Sequence, residues 1–238
     1  MMILDRLQQI EARAQTARDD GGLRQDVTKI NRITPRVATL THSLARLAVS
    51  FNELAGVKQA DCAAALPSFH NMHTVLTQMM RLSQAQQLGG ATTEFAEKIG
   101  AAERAIKTLE GILGGAWTDY RNEHHRSAVD RELLYLLNRS GIDVSDLLED
   151  YDKASFGLEV LSDRAFPLAG DVTKWQAHLD ALRRVAEGLS GVVPAAIAAF
   201  FRQTDSSTGA PLSALTDEVR AFLDDHNIAD RYSIRGRL

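Results

Sequence analysis

The 238 residues carry 27 Lys and Arg against 31 Asp and Glu, and a net charge of −4 excludes a chain that is basic overall and built to coat a polyanion. Hydrophobic residues make up 45% and charged residues 24%, the balance of a globular chain long enough for one large domain or two small ones. Aromatics are scarce at 6%, with Ala and Leu supplying much of the apolar content, which favours helix over sheet.

The opening MMILDRLQQIEARAQ is charged within its first few residues and has no apolar core run. It reads as neither a signal peptide nor a membrane span. Ile3, Leu7 and Ile10 set the first apolar face, and Asp20-Gly21-Gly22 ends that helix. Residues 1–60 hold 9 Lys and Arg against 6 Asp and Glu. The excess centres on Arg24, Lys29, Arg32, Arg36 and Arg46, a stripe whose simplest reading is a solvated helix face. As a functional site the same stripe would contact phosphates.

The second helix shows the most informative signal. Ile30, Ile33, Val37, Leu40, Leu44, Leu47, Phe51 and Leu54 alternate three and four residues apart, the seam of helices packed side by side at a shallow angle. Pro35 lies inside this pattern and is expected to start or kink the helix. Gly56 and Pro67 bracket a short alanine-rich piece that contains Cys62. A lone cysteine forms no internal disulfide and reads as a small core residue in a reducing cytoplasm. A third helix is expected near 68–87. His70 and His73 in SFHNMH share one helical face and are weak metal candidates, lacking an evident third ligand. Met72, Met79 and Met80 on the same segment read as core filler.

Gly89-Gly90 separates that helix from a longer one, with Thr92 or Thr93 as its N-cap. Phe95, Ile99, Ala102, Ile106, Leu109, Leu113, Ala116 and Tyr120 alternate four and three without a break. A single helix over 93–138 would be on the order of 70 Å long. Within it GILGGAWTDYRNEHHR, 111–126, sets three glycines beside aromatic and histidine side chains. Two adjacent helical glycines cost roughly 2 kcal/mol against alanine, so a kink or a close helix crossing is expected. His124 falls on the next seam position. The competing reading makes Trp117, Tyr120, Arg121, His124, His125 and Arg126 a recognition patch of stacking and cationic groups.

Asn138 to Gly141 closes the long helix, and Ser145 is the expected cap of the next, whose seam is Leu147, Tyr151, Ala154, Leu158 and Leu161. After Phe166-Pro167, Asp171 caps a helix with Trp175, Leu179, Leu182, Ala186 and Leu189 on its seam, and Pro194 opens an apolar helix. The run TDSSTGAP is the only linker-like stretch. Beyond it Val219, Phe222 and Leu223 give the tail helix an apolar face, Asn227 is its C-cap, and Tyr232 to Arg235 reads as extended. Docking on the bundle is the favoured reading of this tail, ahead of pairing with a partner's sheet edge.

No GxxxxGK[ST] or GxGxxG phosphate loop, GxSxG elbow or HExxH zinc motif occurs. No histidine has a glutamate three residues before it, so the di-iron bundle motif is missing as well. The sequence thus predicts an all-α protein, an elongated antiparallel helical bundle with coiled-coil-like heptad packing and a small C-terminal helix plus extended tail. The expected organisation is a bundle over 1–203 with a candidate subdivision near 141, a linker at 204–212, and the tail at 213–238.

The expected role is a non-catalytic scaffold or interaction subunit of a larger cytoplasmic complex of bacterial type. Its partner would be another protein, a second copy of the chain included, with no cofactor, metal or membrane. The alternative is a helical subunit of a nucleic-acid-handling assembly that contacts phosphates through the basic stripe.

Overall fold

The computed structural model describes residues 2–16, 21–85, 92–124, 129–205 and 209–232; the side chains of 2, 14–16, 21–25 and 85 lie outside the description. All regular structure among these residues is helical: α1 (Met2–Thr16), α2 (Gly21–Ala55), α3 (Gln59–Ala85), α4 (Thr93–His124), α5 (Arg131–Ser140), α6 (Ser145–Ser162), α7 (Asp171–Val192), α8 (Ala195–Thr204) and α9 (Asp217–Asp225). Single 3-10 turns at Leu212–Ala214 and Ala229–Arg231 flank α9. No single helix among the described residues is long and apolar enough to cross a membrane.

Burial follows the 3-4 spacing. Every described member of the series on α2, α4, α6 and α7 is buried or half-buried. On α4 the whole series from Phe95 to Tyr120 is buried, and Ala105 and Trp117 widen it. Thr92 caps α4, its Oγ accepting from the Phe95 amide at 3.2 Å.

Several boundaries differ from the sequence reading. Pro35 and Pro67 start no helix but lie inside α2 and α3. Both rings are exposed, and so are Asn31 and Ala63 four residues earlier. The carbonyls that lose their amide partner therefore face water, which satisfies them and spares the helix a break. Gly21 and Gly22 begin α2. The long helix does not reach residue 138: Asp130 adopts an extended conformation and its carboxylate accepts from the Glu132 amide at 3.0 Å, starting α5 afresh. Ser145 is the first residue of α6, and it is Asp143 that accepts the Ser145 amide, at 3.4 Å, while the Ser145 hydroxyl turns to Asn138. Asp171 is likewise the first residue of α7 rather than its cap, and its carboxylate accepts the Leu168 amide, ahead of the helix, at 2.8 Å.

The chain forms two compact units, Met1–Arg121 with Ala165–Val172, and Asn122–Arg164 with Thr173–Leu238. In the first, α1, α2 and α3 pack on one another. Phe51 meets Phe69 edge to face at 5.2 Å. The buried Ser50 hydroxyl donates to the Pro167 carbonyl at 2.6 Å, and the Arg46 guanidinium lies 4.9 Å over the Phe166 ring. On the surface, Arg36 of α2 makes a two-pronged bond to Glu103 of α4, at 2.9 and 2.7 Å. That pairing holds the Glu103 carboxyl below the ordinary glutamate value and the Arg36 guanidinium above its own.

In the second unit, α5, α8 and α9 supply one core, with Leu134, Leu137, Ile197, Phe201, Val219 and Leu223 among its buried members. Two left-handed residues shape it. Gly141, at φ 96°, ends α5, and Asn227, at φ 53°, ends α9. Each turn closes with the same pair of bonds: Ile142 to Leu137 and Gly141 to Asn138 in the first, Ile228 to Leu223 and Asn227 to Asp224 in the second. This double closure satisfies two orphan carbonyls and points the following isoleucine back at the helix. Ile142 and Ile228 are both buried in the shared core.

The end of the described tail then lies against α5. Tyr232 donates to Ser140 at 2.9 Å, packs against Phe200 and Phe201, and the Arg231 guanidinium reaches the Arg139 carbonyl at 3.4 Å. The cation thus sits at the negative end of α5. Ser233 to Arg235, expected to be extended, lie outside the described residues.

Two predictions follow from this packing. Ile228→Ala should cost about 2–4 kcal/mol in chemical unfolding, since it empties a buried core position three residues beyond the end of α9. Glu103 contributes stability in full above its unfolded value of 4.5 and loses it as pH falls through its lower folded value. Glu103→Gln should therefore cost up to about 0.5–1 kcal/mol at neutral pH, and the gap to wild type in melting temperature should close as the pH falls below 4.5.

Candidate interaction surface

The stretch 111–126 is built from the inside of α4. Trp117 is fully buried, and Tyr120 stacks on it with ring centroids 5.8 Å apart and planes 15° from parallel. The Arg121 guanidinium covers the Trp117 ring at 5.3 Å and also bonds the Thr118 hydroxyl; partial burial lowers its ordinary pKa. These rings pack inside the protein, out of reach of a stacking base.

His124 is exposed in the last turn of α4 and does not continue the seam to which the spacing assigned it. A strict 3-4 repeat outruns the 3.6-residue helix, and α4 stops at His124 before the drift is corrected. His125 and Arg126 lie outside the described residues.

The three glycines have different surroundings. A methyl group on Gly114 would come within 3.1 Å of the Ala165 carbonyl, whereas Gly111 and Gly115 have open space. Close approach of another backbone is thus confined to Gly114. Helix α4 runs through all three positions.

The basic stripe is largely engaged within the protein. Arg36 is held by Glu103, Arg46 covers Phe166, and Lys29 lies 3.5 Å from Asp26. Arg32 stands exposed, while the Arg24 side chain lies outside the description. His70 and His73 are exposed on α3, and among the described residues no three His, Cys, Asp or Glu side chains converge as a metal site would require. Cys62 is buried, and desolvation, aided by Asp61, pushes its thiol above the ordinary value. The buried Met72 and Met79 fill the core.

The surface features that stand out lie in the second unit. Phe156 is 67% exposed, and Val160, one turn later on α6, is 42% exposed. The sequence holds a signal for both: they fall between the seam positions Ala154, Leu158 and Leu161, on the outward side of the helix. On α5, Tyr135, 56% exposed, stands in a shallow depression of about 300 Å³ with Arg131, Glu132, Leu136, Arg139 and Asp205. Its arginines are already matched, Arg131 to Asp152 at 2.7 Å and Arg139 to Asp205 at 3.7 Å. An anion bound there would have to displace a carboxylate.

No protein family, curated protein or solved structure matches this chain.

The glycine environments generate an ordered prediction. Gly111→Ala and Gly115→Ala should each stabilise by about 0.5–1 kcal/mol, measured by urea unfolding. Gly114→Ala should give none of that gain or a net loss, because the Ala165 carbonyl must yield.

Proposed function

We propose that this chain is a non-catalytic helical interaction module that binds another protein as a subunit of a cytoplasmic complex. The observation that carries this reading is Phe156, a large aromatic side chain left in water on α6 while the opposite face of the same helix buries Ala154, Leu158 and Leu161. A contiguous exposed apolar pair is what a protein partner covers. The 3-4 seams support a bundle packed in coiled-coil fashion, a rigid frame on which such a surface is held in place.

The nucleic-acid reading has weaker support, because Lys29 and Arg36 are each paired with a carboxylate and Arg46 packs over the Phe166 ring. A lone buried cysteine accords with a reducing compartment.

Gentle purification of the tagged full chain from its own cells tests this. The expected result is a protein companion in fixed stoichiometry, retained at high salt, with a protein-like 260/280 nm ratio. Nucleic acid that is released by salt would replace this reading with phosphate contact, and a chain that emerges alone would overturn both.

A further inference from the structure

The surroundings of Phe156 and Val160 say more about what would cover them. One helical turn separates the two, the spacing at which a helix presents neighbouring anchors along one stripe. Helix α6 carries five carboxylates, Asp146, Glu149, Asp150, Asp152 and Glu159, against a single Lys153, and Asp163 and Arg164 follow at its end, so acids still outnumber bases six to two. Three and seven residues beyond Phe156, Glu159 and Asp163 flank the apolar pair on the same side, and both are exposed.

Some of this charge is balanced. Asp152 pairs with Arg131 at 2.7 Å and Glu149 with Lys153 at 2.6 Å. Asp146, Asp150, Glu159 and Asp163 enter no salt bridge among the described residues, so the face keeps a negative excess. Lys153 registers that field. Its ammonium is held above the ordinary lysine value first by Glu149 and then by Asp150 and Asp146. An apolar pair in a carboxylate rim is complementary to a helix that offers apolar anchors between lysines and arginines. A neutral apolar surface or an acidic segment would leave these carboxylates desolvated or opposed.

We infer that the outer face of α6 docks a basic amphipathic helix of the partner protein, with Phe156 and Val160 meeting its apolar anchors and Glu159 and Asp163 its cations. The inference rests on the protein-binding reading above and names the surface and the partner's chemistry. Steering by the carboxylates makes the association faster at low salt, while the apolar contact sets how long it lasts.

The test uses the full chain and synthetic helical peptides, followed by fluorescence anisotropy. One peptide carries leucines on one face flanked by lysine and arginine; the second has the same composition in scrambled order; the third has glutamate in place of the cations. The expected result is binding of the first alone, weakened by added salt. Phe156→Ser should reduce it about tenfold or more, and Glu159→Lys with Asp163→Lys should reduce it comparably, both at unchanged melting temperature. Equal binding of the scrambled or acidic peptide, binding of none, or full affinity in Phe156→Ser would overturn the inference.

A photo-crosslinking residue placed at 156, and separately at the exposed positions 66, 135 and 212, separates this outcome from failure of the broader reading. Adducts at 156 that map to basic segments of another protein support the docking face. Protein adducts from the other positions only leave a binding module whose surface is elsewhere. No adduct from any of the four sinks both.

Discussion

A helix in water must bury one face and hydrate the other, and with few aromatic residues to spend, this chain meets that demand through long, regular stripes of Leu, Ile, Val and Ala. On α4, ten side chains between Phe95 and Tyr120 leave water together. Area buried at roughly 25 cal/mol per Å² is the main favourable term available to such a protein, and it is gained only if the stripes stay in register. The caps, the in-helix prolines and the close approach at Gly114 each serve that condition. They start or end a helix, sit on its exposed side or let a backbone come near without lifting the stripe from its neighbours.

The charged residues are arranged around this demand. Across α2 and α4, Arg36 and Glu103 bind on the rim of a packed face; between α5 and α6, Arg131 and Asp152 do the same. Pairs of this exposure add little to stability, but they fix which side chains remain available at the surface. In the first unit Lys29 and Arg36 of the basic stripe pair with carboxylates at the surface and Arg46 lies over a ring, while Arg32 stands exposed. In the second, α6 is left with more carboxylates than cations, beside the most exposed aromatic ring of the described residues. Exposed apolar and acidic side chains of the second unit therefore meet on one helix whose inner face is otherwise ordinary core.

Much of this was legible in the residues, because a period is a local property. The 3-4 spacing identified the buried face of α2, α4, α6 and α7, and Thr92 was readable as a helix start from a side chain that reaches a nearby amide. What escaped the sequence depends on surroundings. Whether Pro35 breaks a helix is decided by the exposure of Asn31, which spacing alone does not fix. The fresh start of α5 turns on Asp130, whose capping role is masked by the leucines that follow it. Tyr120 was legible as a seam residue, whereas the spacing leaves Trp117 open to a competing outward reading, since an aromatic ring can stack outside or pack inside. His124 was assigned by extending a pattern past the point where its helix stops. Phe156, by contrast, was readable as an outward aromatic, for its neighbours on the seam already pointed the other way.

The path of the chain through its two units has a temporal side. Residues 165–172 belong to the unit formed otherwise by 1–121. Their Pro167 carbonyl receives the buried Ser50 hydroxyl, their Phe166 ring lies under Arg46, and their Ala165 carbonyl comes within 3.1 Å of the space beside Gly114. A ribosome finishes α4 well before it makes this segment. At ordinary elongation speed the delay is on the order of several seconds. For that interval the nascent first unit holds an unfilled seat, with a hydroxyl, a guanidinium and a bare stretch of helix backbone awaiting partners not yet synthesised. These eight residues are written between the two stretches of the second unit, so the first unit is completed only while the second is being made.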